Sequence, residues 1–214
     1  MSWSLGEIES LSRKATRGAG YLWGHAEEAG KAVRWLCAAG LPGETALSGL
    51  LQHNDGQPYE QIRPVDTSAM PWQARGGALC PLASGAALCD LAEPGFDAAL
   101  ARVGFPLLLL PYVVIAADMT KAPLRVVWQG VTITRTAQGT YMQAAPDALN
   151  PIEAQMLRVS PAPDHAGTRL RRSYRAEIDA PSAEILAKFA HRTYAPETEE
   201  SRLSGAGAGL TDND

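Results

Sequence analysis

Cysteine is scarce in this sequence: Cys37, Cys80 and Cys89 are the only three in 214 residues. An odd, widely spaced set builds no disulfide framework and shows neither a Cys-x-x-Cys redox pair nor metal-ligand spacing. The expectation is therefore reduced thiols in a cytoplasmic protein, with Cys80 and Cys89 as small buried apolar side chains. Long apolar runs are missing too. The longest, Val103 to Ala117, falls short of the ~18 residues of a spanning helix and contains Pro106 and Pro111, so no membrane partner is expected. No basic segment near the start leads into an apolar stretch with a small-residue cleavage site, and no secretory signal is expected. An excess of positive charge is also lacking: 19 Lys and Arg stand against 23 Asp and Glu, for a formal net charge of −4. Nucleic acid, whose binding needs clustered cations to displace counterions, is thus not an expected partner. There is no Gly-x-Ser-x-Gly elbow, no His-Glu-x-x-His helix, no phosphate-cradling P-loop and no internal repeat. No motif fixes a reaction, and the cofactor stays unknown.

What is present reads as helices, then mostly antiparallel strands, then helix, an α+β pattern with no strand-helix alternation to demand a parallel sheet. Ser4 and Glu7 form a capping box for a first helix with apolar positions Leu5, Ile8, Leu11 and Ala15, ending at Gly18 and Gly20. A second helix is predicted from about Trp23 to Ala39. Glu27 and Glu28 are placed in its first turn, a Glu27–Lys31 pair on its surface, and Ala26, Gly30, Val33 and Cys37 on a narrow packing face. A shorter helix after Pro42-Gly43 would bury Leu47, Leu50 and Leu51. Residues 1–52 thus read as a helical subdomain and 53–77 as a polar, proline-rich loop with Trp72 tucked over the core. Residues 78–204 read as a mainly antiparallel α+β domain, and 205–214 as a glycine-rich acidic tail. Within the α+β part, Phe105 to Ala116 is predicted as a buried strand interrupted at Pro111. Leu124–Trp128, Val131–Thr136 and Thr140–Gln143 form a two-hairpin meander. Met156–Ser160 and Arg169–Ile178 are further strands, the latter with Leu170, Tyr174, Ala176 and Ile178 on its core face. Pro181 opens a helix with Ile185, Leu186 and Phe189 as its buried stripe, and Pro196 starts a last short helix.

Three constellations could carry chemistry. Around the start of the second helix, Trp23, His25 and Glu28 cluster where backbone N–H groups favour an anion. His25 and Glu28 stand one turn apart, so they could share a proton. At the end of the penultimate helix, His191 and Tyr194 could exchange protons while Arg202 holds a carboxylate with its planar fork. Otherwise these groups serve as helix-end charge partners and a hydrophobic anchor. In the tail, an extended conformation would put Gly205, Gly207 and Gly209 on one smooth face, followed by Asp212 and Asp214. A dinucleotide fingerprint needs a helix and an acidic residue beyond it, and the tail has neither.

The stretch Arg17-Gly18-Ala19-Gly20-Tyr21-Leu22-Trp23-Gly24-His25-Ala26-Glu27-Glu28-Ala29-Gly30-Lys31, together with Thr193 to Pro196 and Arg202 to Asp214, resembles a bacterial family catalogued as a domain of unknown function. Leu22 stands where proline would be expected. The resemblance implies no activity and transfers no functional residue. The reading is a small-molecule enzyme or binding protein of bacterial catabolism for a carboxylate-bearing metabolite. Its catalytic candidates are His25, Glu28 and His191. Its ligand-binding candidates are Trp23, Tyr194, Arg202, Gly205, Gly207, Gly209 and Asp212. The alternative is an accessory or assembly protein whose tail inserts into a partner or a twin subunit, making a homo-oligomer. A third reading is a divalent metal held by Asp212, Asp214 and the terminal carboxylate with further oxygen ligands.

Overall fold

Strand β1 (Ser2–Ser4) leads directly into helix α1 (Leu5–Gly18) in the computed structural model, which describes residues 2–194. Their junction is the expected capping box. The Glu7 amide donates to Ser4 Oγ at 3.2 Å and the Ser4 amide donates to Glu7 Oε2 at 2.8 Å, which satisfies two of the orphan donors at a helix start. Ile8 and Ala15 of the apolar stripe are fully buried. Helices α2 (Trp23–Ala38) and α3 (Gly43–His53) follow, and they bury the residues that their spacing picked out: Ala26, Gly30, Val33 and Cys37 on the first, Leu47, Leu50 and Leu51 on the second. Because α2 starts at Trp23, Glu27 and Glu28 fall beyond its first turn. Lys31 donates to Glu28 at 2.9 Å, one turn away, instead of pairing with Glu27.

Helix α7 (Ala180–His191) packs beside α1, and glycine sets how closely the helices of this layer approach. A Cβ at Gly18 would overlap the Phe189 carbonyl of α7, and one at Gly30 would come within 2.9 Å of the Glu9 carbonyl of α1. In α7 itself Leu186 and Phe189 are buried as expected, whereas Ile185 is only half-buried.

The polar segment after α3 contains one short helix, α4 (Tyr59–Ile62), and then runs along the edge of the sheet. The Trp72 amide donates to the Ala99 carbonyl and the Leu79 amide to the Arg102 carbonyl, each at 2.7 Å, so this edge is covered by the segment itself. Trp72 is 1% exposed, and its indole N–H donates to the Thr67 carbonyl. Helix α5 (Pro81–Leu91) comes next. It was not anticipated, because Ala, Ser, Gly and Leu around its whole circumference leave no polar face to reveal a helical period.

The sheet has the order β2-β6-β3-β4-β5-β7 and is antiparallel throughout. Its strands are β2 (Ala98–Gly104), β3 (Leu124–Trp128), β4 (Val131–Thr136), β5 (Gly139–Ala144), β6 (Glu153–Pro161) and β7 (Thr168–Arg169). The two-hairpin meander is present as read, with Val126 opposite Ile133 and Val159 on the buried face. Against the sheet packs α6 (Leu110–Thr120), which corrects the strand expected over Phe105 to Ala116. That run is a short 3-10 turn, Pro106–Leu109, followed by this helix. Both prolines sit in first turns, where a missing N–H costs no hydrogen bond. Burial on nearly every side erased the polar face that would have distinguished helix from strand.

The strand expected over Arg169–Ile178 is also corrected. The chain leaves the main sheet after Arg169, and the Ser173 amide donates to the Ala38 carbonyl. Residues Arg175–Glu177 then form β8 against β1, with Ala176 opposite Trp3. Tyr174, assigned to the core face, is 93% exposed at that crossing. The architecture is α+β, and no helix among the described residues is long and apolar enough to cross a membrane. The helix expected at Pro196, Arg202 and the glycine-rich tail with Asp212 and Asp214 lie outside the described residues.

Candidate functional site

Where α1 stops, the turn Ala19–Leu22 directs Tyr21 into the protein. Its hydroxyl accepts from Asn54 Nδ2 at 3.1 Å and lies 3.5 Å from Cys80 Sγ. Asn54 closes the C-terminal end of α3 and is itself buried. Burial pushes the Tyr21 phenol far above its ordinary range and raises the Cys80 thiol as well, so both stay protonated. Over this floor lies a cleft of about 390 Å³, walled by the Ala19–Leu22 turn on one side and by Gln57, Tyr59 and Ile62 on the other.

Tyr59 links the cleft to His25. Its hydroxyl lies 3.2 Å from His25 Nε2, and the two rings are 5.1 Å apart. His25 belongs to the first turn of α2, a helix start where Leu22 in the N-cap position supplies no side-chain acceptor. Partial burial lowers the His25 pKa from its usual value and raises that of Tyr59. At neutral pH the pair is therefore a neutral imidazole beside a protonated phenol, an arrangement that can pass a proton in either direction. Just outside, Arg17 Nη1 donates to the Tyr21 carbonyl at 2.8 Å, and the guanidinium lies 5.3 Å from the Trp23 ring centre. Trp23 is largely exposed.

The other sequence candidates fall elsewhere. Glu28 accepts from Lys31 and shares no hydrogen bond with His25, so the spacing that brought the two side chains together on paper leaves each with a different partner. His191 and Tyr194 do meet, with ring centres 5.6 Å apart. They line a depression of about 440 Å³ with Trp3, Leu11 and Lys14, between α1 and α7, and share no wall residue with the first cleft. Arg202, Gly205, Gly207, Gly209 and Asp212 lie outside the described residues. Among the described residues no three His, Cys, Asp or Glu side chains gather as a metal centre would need.

Burial pushes Cys37 up to about 12, and its thiol donates to the buried Glu44 carboxylate at 3.2 Å. Cys89 is only half-buried, and burial pushes it up to about 11. None of the three thiols has the depressed pKa of a nucleophile. Asn54 was missed by the sequence reading. A lone Asn at a helix end ordinarily reads as a cap, and only the fold brings it to Tyr21, 33 positions away.

Tyr21, His25, Asn54, Tyr59 and Cys80 all lie in one stretch of sequence, and that stretch can be compared with known proteins. No curated protein matches the chain. A family match covers the first of the two motif-bearing stretches and stops well before the second. Over residues 3–80 the chain is similar to a family described as a protein of unknown function, DUF3726.

Proposed function

We propose that the chain binds a small carboxylate-bearing metabolite in the cleft between the Ala19–Leu22 turn and α4, with His25 and Tyr59 as its proton-transfer pair. One observation carries the reading: a half-buried histidine whose pKa is lowered by burial meets, at 3.2 Å, a tyrosine that forms a wall of the cleft. Arg17 supplies a cation at the same turn, and the start of α2 adds N–H groups that no side chain caps. The buried Tyr21–Asn54 pair offers polar floor atoms that fix a ligand's orientation, and Leu22 and Ile62 supply apolar wall.

The reading is tested by thermal shift and calorimetric titration of the full chain with a panel of short carboxylic acids at ~1 mM, a concentration that detects dissociation constants up to about that value. At least one acid is expected to raise the melting temperature, and Arg17→Ala is expected to weaken it ~tenfold, the order of a charge-assisted pair. His25→Gln keeps binding and abolishes any turnover of that acid. An absence of shift across the panel, or a shift that Arg17→Ala leaves unchanged, overturns the reading.

A further inference from the structure

A second concavity opens where the C-terminal half of α2, the helix α6 and one end of the sheet meet, and its volume is about 770 Å³. Four arginines line it: Arg135 of β4, Arg169 of β7, and Arg171 and Arg172 just beyond. Arg135 is committed, because its Nε and Nη2 donate to the two oxygens of Asp118 at 2.8 and 3.2 Å. Arg169, Arg171 and Arg172 make no ion pair among the described residues. Among the described residues these three guanidinium groups concentrate positive charge in one groove of a chain whose formal net charge is −4, and a bound anion relieves their mutual repulsion beyond what solvent screening does.

Backbone geometry helps to hold this charge in place. Gly139 has a φ of 153° in the region that disfavours side chains, and a Cβ there would stand 2.7 Å from Arg169 Nε and 3.4 Å from its Cζ. The guanidinium thus lies over bare main chain, a position that any side chain at 139 would contest. Facing the arginines is an apolar wall of Trp35, Val114 and Ile115. Trp35 and Ile115 also border an adjoining, almost wholly apolar notch of about 130 Å³ with Pro111 and Tyr112. The concavity is therefore two-sided, with a multiply cationic end and an apolar end, and its size suits a small organic molecule.

We propose that this groove binds a phosphate monoester with an apolar or aromatic body. The phosphate meets Arg169, Arg171 and Arg172, and the body lies against Trp35 and Ile115. A dianion with three terminal oxygens engages three forked donors more fully than a carboxylate with two, which favours phosphate over a simple carboxylic acid. The site is independent of the His25 cleft, which shares none of its wall residues.

The test is calorimetric titration of the full chain with phenyl phosphate, inorganic phosphate and benzoate at low and physiological salt. Phenyl phosphate is expected to bind with a Kd below ~1 mM, about tenfold or more tighter than either other probe, and more weakly as salt rises. Replacing the exposed pair, Arg171→Ala with Arg172→Ala, is expected to cost ~tenfold or more while the melting temperature stays unchanged. Trp35→Leu is expected to bring phenyl phosphate close to inorganic phosphate. His25→Gln should leave all three titrations as they were, which separates this site from the cleft. Absence of saturable binding, equal affinity for benzoate, insensitivity to the double arginine variant, or loss of binding in His25→Gln would each overturn the proposal.

Discussion

His25 carries a charge change that the folded protein resists. Burial holds its folded pKa below the ordinary ~6.5, so as pH falls the unfolded chain takes up the proton first. The stability linked to this group is intact above about 6.5 and is lost as pH drops through the folded value. Melting curves recorded from pH 8 down to 5 should show a decline that is shallower in His25→Gln, whose amide does not titrate. Parallel curves for the two proteins would show that His25 does not respond to its surroundings as described. Legibility at this level was uneven. His25 stood out as a candidate for proton transfer, and Trp72 was read correctly as a core anchor. The partnership of His25 was invisible, because its hydrogen bond with Tyr59 spans 34 positions and depends on how the start of α2 meets the short helix α4. The arginine groove was legible only as density: Arg169, Arg171, Arg172 and Arg175 crowd seven positions, and reading Arg169 to Ile178 as one strand hid the bend that brings three of them to the wall of a cavity.

Helices were read best where local chemistry punctuates them. The Ser4–Glu7 box and Pro181 at the start of α7 are short-range signals, and each marks a boundary that the fold respects. Elements whose identity depends on burial were read worst. Phe105 to Ala116 became helix because α6 is enclosed on most sides, and α5 carried no period at all. The role of Gly18 likewise follows from packing rather than from its position at a helix end. Gly18→Ala raises helix propensity by ~1 kcal/mol, yet it drives a methyl group into the Phe189 carbonyl of a neighbouring backbone that cannot rotate aside. Denaturant unfolding is expected to show a net loss of about 2 kcal/mol for Gly18→Ala. Gly6→Ala, in the same helix with open space around it, should be neutral or slightly stabilising. Equal behaviour of the two variants would remove close α1–α7 contact as the reason for this glycine.

For the molecule as a whole, the cleft and the groove occupy different seams: one lies within the helical layer, the other between that layer and the sheet. Among the described residues every wall residue of the cleft precedes Arg63, so deleting residues 205–214 should leave carboxylate binding unchanged. Size-exclusion chromatography of the same truncation addresses the rival reading. A change of oligomeric state or loss of a captured partner would favour an assembly protein with an inserted tail, and an unchanged elution would favour the small-molecule reading. One feature of the fold also bears on how the chain comes together during synthesis. Ser2–Ser4 pairs with Arg175–Glu177, and Arg175 Nη2 donates to the Ser2 carbonyl at 2.7 Å across 173 positions. On the ribosome, α1 can meet α2 within seconds of emerging, but the strand preceding it has no mate until Glu177 has left the exit tunnel. This clasp is therefore the last strand pairing among the described residues that synthesis makes available, and it ties the start of the chain to a segment made after the whole main sheet.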